Sequence, residues 1–100
     1  MQFIVTAHDG QNMLEKRMSV RKYHLDNIAK VKEYGSVICA GGIMDSEGRP
    51  VGSVLVLDFE TRELLDKYLE SEPYIRENVW ENITVENMNV VIMNDEKVGR

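Results

Sequence analysis

His24 is the residue of this chain best placed to move a proton. Val20, His24, Ile28 and Val31 follow at steps of four, four and three, which puts them on one stripe of a helix. A histidine thus stands where the pattern asks for an apolar side chain. Imidazole has the unperturbed pKa nearest neutrality, so His24 reads as a general base or acid. The plainer reading is a core histidine satisfied by one hydrogen bond. Asp9, at the end of the first apolar segment, is the candidate carboxylate to fix the ring's tautomer; it is also a natural turn-former before Gly10. Arg17 and Arg21 lie four apart with His24 three further on. A continuous helix aligns the three, either as a clamp for a carboxylate or enolate or as a solvated basic face. Ser53 and Tyr74 complete the set as donors or walls of a small-molecule pocket, against ordinary strand and packing roles.

Other chemistry finds little footing. Gly41-Gly42 lacks the rest of a phosphate-binding fingerprint. His8 and His24 fall on different elements, with no third ligand at metal-site spacing, so no metal or other cofactor is expected. Cys39 is the single cysteine. Within Val37-Ile38-Cys39-Ala40 it reads as a buried, inert thiol, and it excludes an intramolecular disulfide.

The elements that must carry these residues follow in order. Residues 3–7 are β-branched and apolar, a first strand ended by Asp9-Gly10. Residues 12–34 are helical, with Ser19 as an interruption that caps a longer second segment and Gly35 as the stop. Residues 36–43 read as a buried, nearly all-apolar strand. Asp45-Ser46-Glu47-Gly48-Arg49-Pro50 turns the chain into a third strand over residues 51–59. Thr61 caps a helix whose buried stripe is Leu64, Leu65, Tyr68 and Leu69, ended at Glu72-Pro73. Val79, Ile83, Val85 and Val90 supply a final strand. The domain is expected over residues 1–93, with a polar tail at 94–100.

The resulting order is β-α-β-β-α-β: an α+β, ferredoxin-like antiparallel sheet with both helices on one face. Its other face lacks cover from this chain, and a homodimer of face-to-face sheets is the economical solution. One hundred residues fit one domain. Seventeen acidic against twelve basic residues, net −5, argue against nucleic acid or an anionic membrane as partner. No apolar stretch approaches the roughly 20 residues that cross a bilayer, and the N-terminal residues lack a signal-peptide pattern. A cytoplasmic location is expected.

Asp9, Leu14-Glu15-Lys16-Arg17, Val20-Arg21 and His24-Leu25, continued by Ala40-Gly41, Gly52-Ser53 and Pro73-Tyr74, resemble the signature of YciI-like (YCII-related) proteins over roughly residues 2–85. The resemblance implies the dimeric α/β-barrel form of the ferredoxin-like fold, as in muconolactone isomerase-like enzymes. It also implies a His–Asp pair in a cleft near the dimer interface, at His24 and Asp9 here. Most such proteins have no assigned reaction; one branch comprises chlorohydroxyhydroquinone dehydrochlorinases, which are lyases. The chain departs from the family where Gly41-Gly42 replaces Gly-Pro, where Glu72-Pro73-Tyr74 replaces Asp-Pro-Tyr, and in a C-terminal strand without the usual basic-aromatic finish. Together these readings point to an acid–base enzyme of lyase or isomerase type, with His24 and Asp9 catalytic and Arg17, Arg21, Ser53 and Tyr74 binding substrate. The alternative is a non-catalytic ligand-binding or accessory dimer.

Overall fold

Alternation along the first strand sets the architecture. In β1 (Gln2–Asp9), Phe3, Val5 and Ala7 are buried while Gln2, Ile4 and Thr6 are half-covered, the period-two pattern of a strand with one packed face. The computed structural model describes residues 1–99 as α1 (Leu14–Ala29), β2 (Ser36–Met44), β3 (Pro50–Asp58), α2 (Arg62–Ser71), a short α3 (Pro73–Arg76), β4 (Trp80–Met88) and a terminal hairpin of β5 (Ile92–Met93) and β6 (Glu96–Lys97). The four long strands form one antiparallel sheet in the order β2-β3-β1-β4. This is the ferredoxin-like α+β arrangement expected from the element order.

The core lies between sheet and helices. Phe3, Val5, Leu55 and Leu57 from the central strands meet Val20, Leu65, Tyr68 and Phe59. Paired residues share a face, so Ala7, Ser53 and Gly42 continue this inner face toward one end of the sheet. Gly35 passes close under Phe59, and a Cβ there would lie 2.7 Å from the Asp58 carbonyl oxygen. Only glycine fits this crossing into β2.

Several local expectations change. Ser19 does not divide the first helix: α1 runs through it, and the Ser19 hydroxyl donates to the Lys16 carbonyl at 2.7 Å, a bond back into the preceding turn. The second strand is not a buried one. It occupies an edge of the sheet, most of its residues are exposed, and Cys39 is a free, exposed thiol. An apolar run alone does not separate edge from centre. Glu72-Pro73 ends α2 as expected, but Pro73 then opens α3 at its first position, with Glu72 as the cap, because its fixed φ suits a helix start. Within the stretch expected as a polar tail, the chain turns through left-handed Asn94 and Asp95 and pairs β6 with β5; the last residue of that stretch, Arg100, lies outside the described residues.

Candidate active site

The cleft begins as a deficiency of side-chain volume. On β2, Ala40 and Gly42 share the inner face with Leu55 and Ser53 opposite them on β3. Two small residues beneath α1 leave unfilled the space that a leucine or valine would occupy. The result is a cleft of about 340 Å³ lined by Arg17, Arg21, His24, Ser53, Tyr74 and Ala40 among others, with apolar walls at Met18, Leu25, Ile28 and Leu55. Such a volume suits a small organic ligand. Five of the six residues singled out from sequence therefore line a single cleft; the sixth, Asp9, borders an adjacent depression with Asp45, Arg49 and Glu81.

His24 is buried on the α1 stripe. Its Nδ1 lies 2.6 Å from Oε1 of Glu72, whose side chain is fully buried. The same oxygen accepts the Tyr74 backbone N–H at 3.1 Å, and Oε2 accepts the Tyr68 hydroxyl. With Nδ1 facing a carboxylate, that nitrogen carries the proton and donates it. Nε2 is left as the functional nitrogen. The ring is further clamped by stacking on Tyr74 at 4.0 Å and 20° and by the edge of Trp80 at 5.9 Å. Burial first, then the neighbouring Glu72 charge, hold the Tyr68 hydroxyl well above its usual titration range. It stays a neutral donor to the carboxylate. Burial likewise raises Tyr74, opposed by the Arg17 and Arg21 guanidiniums.

Asp9 occupies a different station from the one its spacing suggested. Both its oxygens accept from one terminal nitrogen of Arg17, at 2.9 and 3.0 Å. The other terminal nitrogen of Arg17 donates to Ser53 Oγ at 2.7 Å, and the guanidinium carbon sits 4.7 Å from the Tyr74 ring centre. The hydrogen-bonded carboxylate of His24 is Glu72, not Asp9. The reason is local. Asp9 follows Ala7 on the inner face, where a bulge in β4 brings it opposite Trp80, and buried Arg17 one turn into α1 takes its charge. Sequence spacing could not locate Glu72, 48 residues from His24. The usable signal was an acid directly before Pro-Tyr.

Among the described residues, no three His, Cys, Asp or Glu side chains converge as a metal site, and no helix is long and apolar enough to cross a membrane.

A βαββαβ sheet with a carboxylate-held histidine in a cleft beneath its first helix defines the class: an α+β protein of ferredoxin-like fold. More narrowly, the chain belongs to the YCII-related family, whose domain matches residues 1–89. It is 30% identical over 91 residues to Protein YciI of Escherichia coli, covering 85% of this chain and 93% of that protein. It is also 30% identical over 87 residues to aspercryptin biosynthesis cluster protein B of Emericella nidulans, covering 80% of this chain and 56% of that relative. Among solved structures it resembles 5-chloro-2-hydroxyhydroquinone dehydrochlorinase from Burkholderia phenoliruptrix AC1100, in complex with 2,5-dihydroxybenzoquinone. The TM-score is 0.80 at 18% identity, over 88% of this chain and 93% of that one. An antibiotic biosynthesis monooxygenase follows at a TM-score of 0.55 and 14% identity, over 91% and 98% of the two chains. At such identities the structural likeness is one of fold.

Proposed function

We propose that this protein is a small acid–base enzyme of lyase or isomerase type acting on an anionic or hydroxylated cyclic organic molecule. The observation that carries the reading is the His24 imidazole lining the cleft with Nδ1 2.6 Å from a buried carboxylate. In the proposed step Nε2 accepts a proton from a C–H or O–H of the substrate. The electron pair of that bond stays on the substrate as an enolate or phenolate. The sequence then closes in one of two ways: His24 returns the proton at another carbon, or the electron pair expels a leaving group as its anion and His24 passes its proton to that anion or to water. Glu72 compensates the imidazolium, Arg21 meets the developing anion, and Ser53 and Tyr74 offer hydroxyl donors. Asp9 acts through Arg17, which it holds against Ser53 and Tyr74, so it is a positioning residue. A dehydrochlorinase shares this fold; the reaction class proposed here is supported by the His24–Glu72 pair itself.

We further propose a homodimer joined through the helix-free sheet face, where Ile4, Val54 and Ile43 lie on one side of paired strands. A cytoplasmic location is consistent with the free, exposed Cys39.

The test is deuterium exchange in heavy water, read by proton NMR over a panel of hydroxylated cyclic acids. A general base of this kind contributes about 10²–10⁴-fold, so His24→Ala should slow exchange by that order. Equal rates in the two proteins would reject the enzyme reading; binding without exchange would leave a ligand-binding module.

A further inference from the structure

The charged groups around the cleft do not contribute equally. Among the described residues its lining contains two guanidiniums and one imidazole but no Asp or Glu, in a chain of net charge −5. Arg17 is already matched, since Asp9 takes its charge and Ser53 and the Tyr74 ring take its remaining reach. The two partners are nearly solvent-free, with side chains 7% and 5% exposed, so this ion pair is a fixed neutral unit of the wall. Glu72 is matched in the same way by His24, Tyr68 and the Tyr74 amide. Arg21 differs. It lines the cleft, it is exposed, and among the described residues it makes no hydrogen bond or ion pair. Its guanidinium is close enough to bear electrostatically on the Tyr74 hydroxyl. The Ser53 hydroxyl accepts from Arg17, leaving its own hydrogen to donate.

We propose that the cleft is selective for ring-sized organic monoanions, whose carboxylate or enolate pairs with Arg21 as the single uncompensated cation of the lining. This deepens the acid–base reading by naming the substrate's charge. A second negative charge directed into the cleft would meet the apolar side chains of Ile28 and Leu55, where an unpaired ion is disfavoured. An uncharged ring would forgo the pairing with Arg21.

Benzoate, benzamide and isophthalate separate these cases. Each is titrated into nitrogen-15-labelled protein while the amide signals of Gly41 and Gly42, both in the cleft lining, are followed. Benzoate should bind about five- to tenfold tighter than benzamide, the worth of one charge-assisted pair, and isophthalate no tighter than benzoate. Arg21→Gln should erase the advantage of benzoate while the rest of the spectrum shows the fold unchanged. The inference is overturned by equal affinity for benzoate and benzamide, by a preference that survives in Arg21→Gln, by tighter binding of isophthalate, or by no response to any of the three at tens of millimolar. Benzoate selectivity without His24-dependent exchange would remove the catalytic reading and leave this one. Exchange confined to uncharged substrates would do the reverse.

Discussion

Glu72 shows what a single buried carboxylate does in this molecule. It is fully buried, and its two oxygens gather an imidazole, a phenol and a backbone amide, so its desolvation is offset by donors on every side. Tyr68→Phe removes one of these and should lower stability by about 1.5–3 kcal/mol, the range for a hydrogen bond to a charged group, as read by urea unfolding. No change in midpoint would show that the phenol contributes nothing. Asp9→Ala strands a buried guanidinium, and about 3–5 kcal/mol of destabilisation is expected from the same measurement. Arg17, Arg21 and His24 were legible as one helix face from their spacing, Ser53 and Tyr74 only as candidate donors or walls from their types, and the cleft gathers all five. The partner of His24 was not, because Asp9 and Glu72 are equally plausible carboxylates until the chain's path beyond α2 is known.

That path is an element-scale fact. Thr61 caps α2 by accepting from the Leu64 N–H at 3.3 Å, and Pro73 forces extended backbone at Glu72, with φ −68° and ψ 116°. The acid is thereby left at a break between two helices, where it can cap α3 and reach α1 together. Thr61→Ala should lower stability by about 1 kcal/mol without changing ligand affinity, since it acts on the far end of α2. β2 governs the cleft's size. A Cβ at Gly42 would meet its nearest atoms at 3.7–3.8 Å, ordinary contacts, so Gly42→Val should leave the thermal midpoint within a few degrees and abolish benzoate binding by filling the cleft. Unchanged binding would show that ligands enter elsewhere. Element order and the Thr61 cap were readable in the sequence. The edge position of β2 and the exposure of Cys39 were not, since they depend on which neighbours a strand acquires.

Across the whole molecule, buried phenols tie stability to pH. Tyr68 and Tyr74 are both raised from an ordinary value of 10.0, chiefly by burial. Below that value, folded and unfolded chains both keep these protons and the linkage contributes no slope. Above it the unfolded chain releases protons that the folded chain retains, so stability falls as pH rises. Melting temperatures should therefore decline steadily from about pH 10 upward, and less steeply in Tyr68→Phe. The sheet face away from the helices, expected to be apolar because nothing in the chain covers it, is apolar at Ile4, Val54 and Ile43 and polar on β4 at Thr84 and Glu86. Val54→Glu on that face should convert the proposed homodimer to a monomer in sedimentation experiments; a wild-type monomer would refute that assembly.

The histidine–carboxylate pair is tested most directly on the His24 ring itself, by nitrogen-15 NMR of the neutral imidazole. The expected result is a proton fixed on Nδ1 with a downfield hydrogen-bonded resonance, kept in Asp9→Asn and lost or moved upfield in Glu72→Gln. A resonance that ignores Glu72→Gln, or that disappears in Asp9→Asn, would contradict the assignment of Glu72 and the chemistry built on it.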